Sequence, residues 1–283
     1  MKNIAILTDS SISMDAEKIK KYDVLTSPLT IIHNNKEYLD EIDITNFQVN
    51  DLLRENEVLT TSQPNLGLVI QQLQEVKAQN FDHVFILPVT MELSGTYRTY
   101  QHAVEEVGLK NATLIDTGTL AGPIQHGIKV IRRMNEAGKS IEDITNTLND
   151  LYNKTESYVI PRTLKQLKAS GRISSTAATM ASLLKIKPIL KIVAHGDTIN
   201  KFATSRTEAK AFRTVIEDMI AHGVKPETHH IYYLHSEGLE IVESFNNELE
   251  KMIGKFDYDI SVLPAVLAAH AGLETIAIQY IPK

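Results

Sequence analysis

Short β-branched, apolar runs alternate with amphipathic helical stretches over the first ~150 residues, and each run closes on hydroxyl or carboxylate side chains. Residues 3–7 (NIAIL) lead into Thr8, Asp9, Ser10 and Ser11. The run VFILPV (84–89) leads into Thr90 and then Ser94, Gly95 and Thr96, and the stretch ATLIDTGT leads into Asp116. Strand, helix and strand in succession build a mainly parallel sheet flanked by helices, so an α/β domain is predicted. In open sheets of this kind ligands bind beyond the carboxyl ends of the strands. The polar clusters therefore fall where a ligand would sit.

Other elements follow from local chemistry. VLTSPLTIIH (24–33) reads as a strand region that Pro28 bends or confines to an edge. Thr45 caps a helix over NFQVNDLLREN, and Pro64 suits the first turn of the helix LGLVIQQLQEVKAQ. A helix from Tyr97 to Val107 carries Tyr97, Tyr100, Val104 and Val107 on one stripe, and another helix covers GPIQHGIKVIRRMNEAG.

The second half changes pattern. SYVIP is a strand, RTLKQLKAS a short helix, GRISS a turn and TAATMASLLKI a helix. KPILKIVAHGDTINKFATS predicts an antiparallel hairpin around His195, Gly196 and Asp197. A helix from Arg206 to Ala221, strand HHIYYLH, helix EIVESFNNELEKMI and strands YDISVLP and AIQYI complete the chain. A boundary is placed near residue 155, giving domains 1–155 and 156–283, the second with a mixed or antiparallel sheet.

Composition narrows the function classes. Of 283 residues, 43% are apolar and 23% charged, an ordinary globular balance. With no Cys, a disulfide framework and thiolate metal sites are excluded. MKNIAILTDSS has no long apolar leader core, and no apolar run reaches the ~20 residues of a membrane span. A cytoplasmic protein is the expectation. A net charge of −6 argues against nucleic acid as a partner. Between Ser157 and Gly196, however, there is no acidic residue, while Arg162, Lys165, Lys168, Arg172, Lys185, Lys187 and Lys191 all occur there. That window is either a solvated basic face or a surface for an anionic ligand or acidic partner.

Three constellations could carry chemistry, each with a plainer alternative. Ser94-Gly95-Thr96 at a helix start offers hydroxyls and free N–H groups to a carboxylate or phosphate, or else simply caps the helix. Thr61-Ser62-Gln63-Pro64 offers the same choice. Arg172, beside Gly171 in LKASGRIS, is either solvated or a planar fork for an oxyanion. His195, His235 and His270 share no metal-ligand spacing and HEXXH is absent, so no metal is expected. A hydrolase built on Ser94, His270 and Asp116 or Asp9 would need a base within hydrogen-bond reach of the serine.

TDSS after the first strand, TTSQP, LSGTY, LIDT, LKASGRIS followed by KIKPIL, and a late His-Ala-Gly after an apolar strand stand in the order seen in bacterial DegV proteins. From Thr8 to His270 the chain resembles that family. The resemblance implies a two-domain α/β fold binding one long-chain fatty acid, such as palmitate, in an apolar tunnel with its carboxylate between the domains. It implies a carrier rather than an enzyme, serving as the acyl-carrying subunit for a partner fatty-acid kinase, with no cofactor. It does not span a membrane, though transient contact with a membrane surface fits a lipid carrier. By the same resemblance Thr61, Ser62, Ser94 and His270 hold the carboxylate, and Gly95 and Thr96 supply the helix start. Arg172 and Arg206 lie near the mouth and serve the phosphoryl-transfer partner or closure over the ligand. The alternative is a module for a small phosphorylated metabolite. One departure stands out: the family commonly continues His-x-Gly with Pro-Gly, whereas Leu273 and Glu274 follow here.

Overall fold

The computed structural model describes residues 1–179, 186–196 and 198–283. Along the first half run β1 (Ile4–Asp9), α1 (Ala16–Lys21), β2 (Val24–Ser27), β3 (Thr30–His33), β4 (Lys36–Leu39), α2 (Asn46–Arg54), β5 (Thr60–Ser62), α3 (Leu66–Ala78), β6 (His83–Ile86), α4 (Thr96–Val107), β7 (Ala112–Leu114), α5 (Gly122–Glu136) and α6 (Ile141–Asn153). The second half contributes β8 (Glu156–Ile160), α7 (Lys165–Ser170), α8 (Ser175–Ala178), β9 (Lys187–Val193), β10 (Asn200–Ser205), α9 (Glu208–Ala221), β11 (His229–Ser236), α10 (Leu239–Met252), β12 (Asp257–Val262), α11 (Ala265–Ala271) and β13 (Thr275–Pro282).

Strand–helix alternation produces a four-stranded sheet of order β2-β1-β6-β7, parallel throughout. Every residue of β1 is buried, as expected of a central parallel strand covered on both faces. Ala5 and Leu7 pack with Val69, Leu73 and Tyr100 of α3 and α4. Ile4 and Ile6 pack with Ile124, Ile128 and Leu148 of α5 and α6. On α4 the buried residues are Thr96, Thr99, Tyr100, Ala103 and Val107, with Tyr97 and Val104 half-buried at the edge of the stripe.

Pro28 does more than bend a strand. β2 ends at Ser27 in the parallel sheet, whereas β3 begins at Thr30 in a separate antiparallel sheet of order β4-β3-β5. Asn34 and Asn35, both at positive φ, form the two-residue turn between β3 and β4 that such hairpins favour. Thr45 caps α2 in a reciprocal capping box with Gln48. Pro64 precedes the cap of α3 rather than lying in its first turn; Asn65 is the cap, accepting from the N–H groups of Gly67 and Leu68.

The second sheet is mixed, of order β10-β9-β8-β13-β11-β12, antiparallel except where β12 runs parallel to β11. The β9–β10 hairpin matches the expectation, with Asp197 outside the described residues. So is the 180–185 stretch of the expected TAATMASLLKI helix, whose first residues fall in α8. Period-2 alternation gives this sheet two distinct faces. Tyr158, Ile160, Ile276 and Ile278 pack under α9 and α10. Val159, Leu190, Ile192 and Ala277 face the other way, toward α7, α11 and α2.

All strands of the parallel sheet precede residue 115, and β8 of the mixed sheet starts at Glu156. In space the halves interlock: β5 packs on α7 and α11, α2 packs on α11, and Asn46 donates to the carbonyl of Leu263. His270 lies near the end of helix α11, not directly after a strand.

Candidate ligand-binding site

A cavity opens where the first-half loops meet the α11 face of the mixed sheet, with about 910 Å³ free of atoms including its open mouth. Most of its wall is aliphatic, supplied by Leu29, Leu120, Val159, Leu167, Ile192, Ile199, Leu234, Leu263, Val266 and Leu267 among others. Thr61, Ser62, Ser94, Arg172 and His270 also line it, although they are separated by up to 209 positions in sequence.

Strand β5 presents Thr61 and Ser62 to α11. Thr61 Oγ1 and His270 Nε2 are 2.7 Å apart, and His270 Nδ1 is buried without a partner among the described residues. Burial drives the His270 pKa down to about 4, with the Arg172 charge adding to the shift. The imidazole is therefore neutral at pH 7. A neutral imidazole and a hydroxyl hold two polar hydrogens, and the contact between them uses one. The other, on Thr61 Oγ1 or His270 Nδ1, is left to donate elsewhere. An acceptor-only group such as a carboxylate is what this pair lacks.

Ser94 both supports its helix and lines the cavity. Its Oγ accepts from the Thr96 N–H at 3.3 Å and lies 2.7 Å from Thr96 Oγ1. Thr96 is fully buried behind it and does not line the cavity, and neither does Gly95. A Cβ at Gly95 would stand 3.0 Å from Gln63 Oε1, so this glycine makes room for the Gln63 side chain rather than for a ligand. Of the residues assigned to carboxylate binding, Gly95 and Thr96 therefore form the helix start without lining the cavity, and Thr96 meets it only through its contact with Ser94.

Arg172 turns its guanidinium inward, donating to the carbonyls of Ser170 (2.6 Å) and Leu93 (3.4 Å). Arg206 does not join it. It is exposed just past the end of β10, whereas Ile199, which lines the cavity, precedes the start of that strand. Arg206 stands seven positions further along the extended chain, roughly 20 Å at the usual rise. Of the remaining basic window, Arg162 pairs with Glu274, Lys187 with Glu208, and Lys191 with Glu156 and Asp218, while Lys165 donates to the Asn56 carbonyl. Lys185 lies outside the described residues. Glu274, where the DegV pattern has glycine, is half-exposed and directed to Arg162 at 3.5 Å rather than lining the cavity.

The residues of a serine-hydrolase relay stand apart. His270 contacts Thr61, Asp116 contacts His195 at 3.2 Å, and Asp9 binds Ser11 and the Val89 N–H. Among the described residues, the hydrogen bonds of Ser94 Oγ are to Thr96 alone. Elsewhere Glu156, Asp218 and His222 bring ligand atoms within 4.8 Å of one another. The Lys191 ammonium sits 2.8 Å from Glu156 and 2.7 Å from Asp218, so a cation already occupies the place between these two carboxylates.

Some lining groups were not among the residues assigned to carboxylate binding. Ser11 stands at the cavity wall because Asp9, fully buried, accepts from both its N–H and its hydroxyl. Asp9 also accepts from the Val89 N–H, joining the ends of β1 and β6. A polar residue directly after an apolar strand was the available signal. Ser157, Thr275 and Gln279 sit on strands and carried none.

Among the described residues, no helix is long and apolar enough to cross a membrane. The family model described as "Uncharacterised protein, DegV family" matches residues 3–283. A DegV domain-containing protein of Clostridium perfringens is 30% identical over 287 residues, covering 99% of this chain and 98% of the relative. Among solved structures, a fatty acid binding DegV family protein from Streptococcus agalactiae superposes with a TM-score of 0.88 at 26% identity, covering 100% of both chains. DegV from Bacillus subtilis, described as a fatty acid binding protein, gives 0.84 at 25% identity, again over 100% of both chains.

Proposed function

This chain belongs to the DegV family, and on that premise we propose that its cavity holds one long-chain fatty acid. The carboxylate receives the spare hydrogen of the Thr61–His270 pair together with the hydroxyls of Ser62 and Ser94. The tail runs along the aliphatic wall of Leu120, Val159, Ile192, Leu234 and Leu267. Neutral donors satisfy the lone pairs of a buried carboxylate, the Arg172 charge in the same cavity helps keep it ionised, and its oxygen stays available as a nucleophile. The protein is then a cytoplasmic carrier that presents the acid to a partner kinase for acyl-phosphate formation. Arg172 beside the headgroup supports the incoming phosphoryl group. Arg206 has a place in this scheme only on the partner's side.

The observation that carries the proposal is the Thr61–His270 pair set in a cavity whose wall is mostly aliphatic. Burial of CH₂ groups contributes roughly 0.8 kcal/mol each, so ~16 carbons gain on the order of 12 kcal/mol before association costs. A small phosphorylated metabolite could use the same donors but would leave the aliphatic wall unfilled. Native mass spectrometry of protein purified from a bacterial host separates the two. A co-purifying fatty acid supports the carrier; an empty protein that binds sugar phosphates overturns it.

A further inference from the structure

Away from the headgroup cluster, one polar pair interrupts the aliphatic wall. Gln279 on β13 and Ser157 on β8 are register partners, 1% and 2% exposed, and both line the cavity. The Gln279 amide is held in one orientation by two backbone groups of fixed polarity. Its Oε1 accepts from the Gly122 N–H at 3.1 Å, and its Nε2 donates to the Leu120 carbonyl at 3.1 Å. Nε2 is therefore also the donor in its 2.7 Å contact with Ser157 Oγ. Ser157 accepts there, and its own hydroxyl hydrogen meets no acceptor among the described residues. Neighbouring hydroxyls differ: Ser11 donates to Asp9, and Thr275 donates to the Ala271 carbonyl.

Position matters as much as polarity. Thr275 is tied to Ala271, next to His270, and Gln279 lies four residues further along the same strand. At the usual strand rise that is roughly 13 Å along β13 from Thr275. A donor there meets the ligand part-way along its tail. A buried donor without an acceptor is costly, whereas one that finds an oxygen is stabilising.

We propose that Ser157 is a specificity-determining residue that selects acyl chains bearing a hydroxyl or oxo oxygen part-way along over plain saturated chains. Gln279 is its positioning residue, since its fixed amide directs the Ser157 hydrogen into the cavity. The inference rests on the fatty-acid reading of the cavity. It assigns the site a subclass of ligand that the aliphatic wall and headgroup donors alone would not favour.

The test is calorimetric titration of delipidated protein with stearate and with hydroxystearates and oxostearates substituted at successive carbons. The expected result is an affinity maximum at one interior position, about tenfold tighter than stearate. In Ser157→Ala that ratio falls to about one, and in Ser157→Cys, which keeps a weak donor, it falls in between. Affinity that is equal across the series, or a tenfold preference that persists in Ser157→Ala, overturns the proposal. If Ser157→Ala does not fold, the positional series on the unaltered protein still decides. A protein that binds no member of the series removes the fatty-acid reading together with this one; equal binding of all members removes this one alone.

Discussion

His270 and Thr61 illustrate how two ordinary side chains come to leave a spare hydrogen at a cavity wall. Each alone would be a buried polar group in need of a partner, and together they satisfy one atom each and leave one hydrogen over. Ser94 adds a hydroxyl that accepts from the Thr96 N–H and contacts the Thr96 hydroxyl. Replacing Ser94 with Ala leaves a charged acceptor one donor short, so fatty-acid affinity is expected to fall by ~1–2 kcal/mol, measured by calorimetry. An unchanged dissociation constant would remove Ser94 from the site. Arg172→Ala is expected to retain the lipid while slowing phosphorylation in an assay reconstituted with a kinase partner; equal rates would refute its role. The hydroxyls were legible as candidates because they follow apolar runs. That Gly95 serves Gln63 was not, since a close approach between two loops leaves no local trace.

Most elements whose cause is local are legible in the sequence, and those whose cause is tertiary are not. Thr45 and Gln48, three residues apart, announce α2, and the β9–β10 hairpin follows from two apolar runs around a polar turn. Helix α11 carries AVLAAHA, a short apolar run that periodicity cannot distinguish from a strand. β5 has only the three residues TTS and is a strand because β3 lies beside it. Helix α6 went unread despite its Ser140–Asp143 capping box. Ser140→Ala is expected to cost about 1 kcal/mol in urea unfolding, and no change in midpoint would show that packing of Ile144 and Leu148 alone defines that helix start.

At the scale of the molecule, the interlocked halves bury ionisable groups that tie stability to pH. His270 and His126 are pushed down to about 4, chiefly by burial. The unfolded chain binds protons at these positions below ~6.5, so their contribution to stability is lost as pH falls from about 6.5 toward 4. Asp40 opposes them. Burial, with the Glu41 and Asp9 charges, raises it to about 7 against a weaker influence from Ser10, and its oxygens have no hydrogen-bond partner among the described residues. The folded protein holds that proton more tightly, so stability is lost as pH rises from about 4 through 7. Asp40→Asn is expected to be more stable than the parent by roughly 2–4 kcal/mol at pH 8, with little difference near pH 4. Denaturant titrations at the two pH values check this, and a gain that did not depend on pH would contradict it.

The same interlocking creates the cavity, which neither half encloses alone, and its occupant is the central claim. The most direct measurement is the intact mass of the native protein, followed by extraction and mass analysis of whatever it releases. The account predicts one long-chain fatty acid per chain, retained under native conditions and lost on denaturation. Protein that carries no added mass and shows no saturable binding of stearate after delipidation would contradict it.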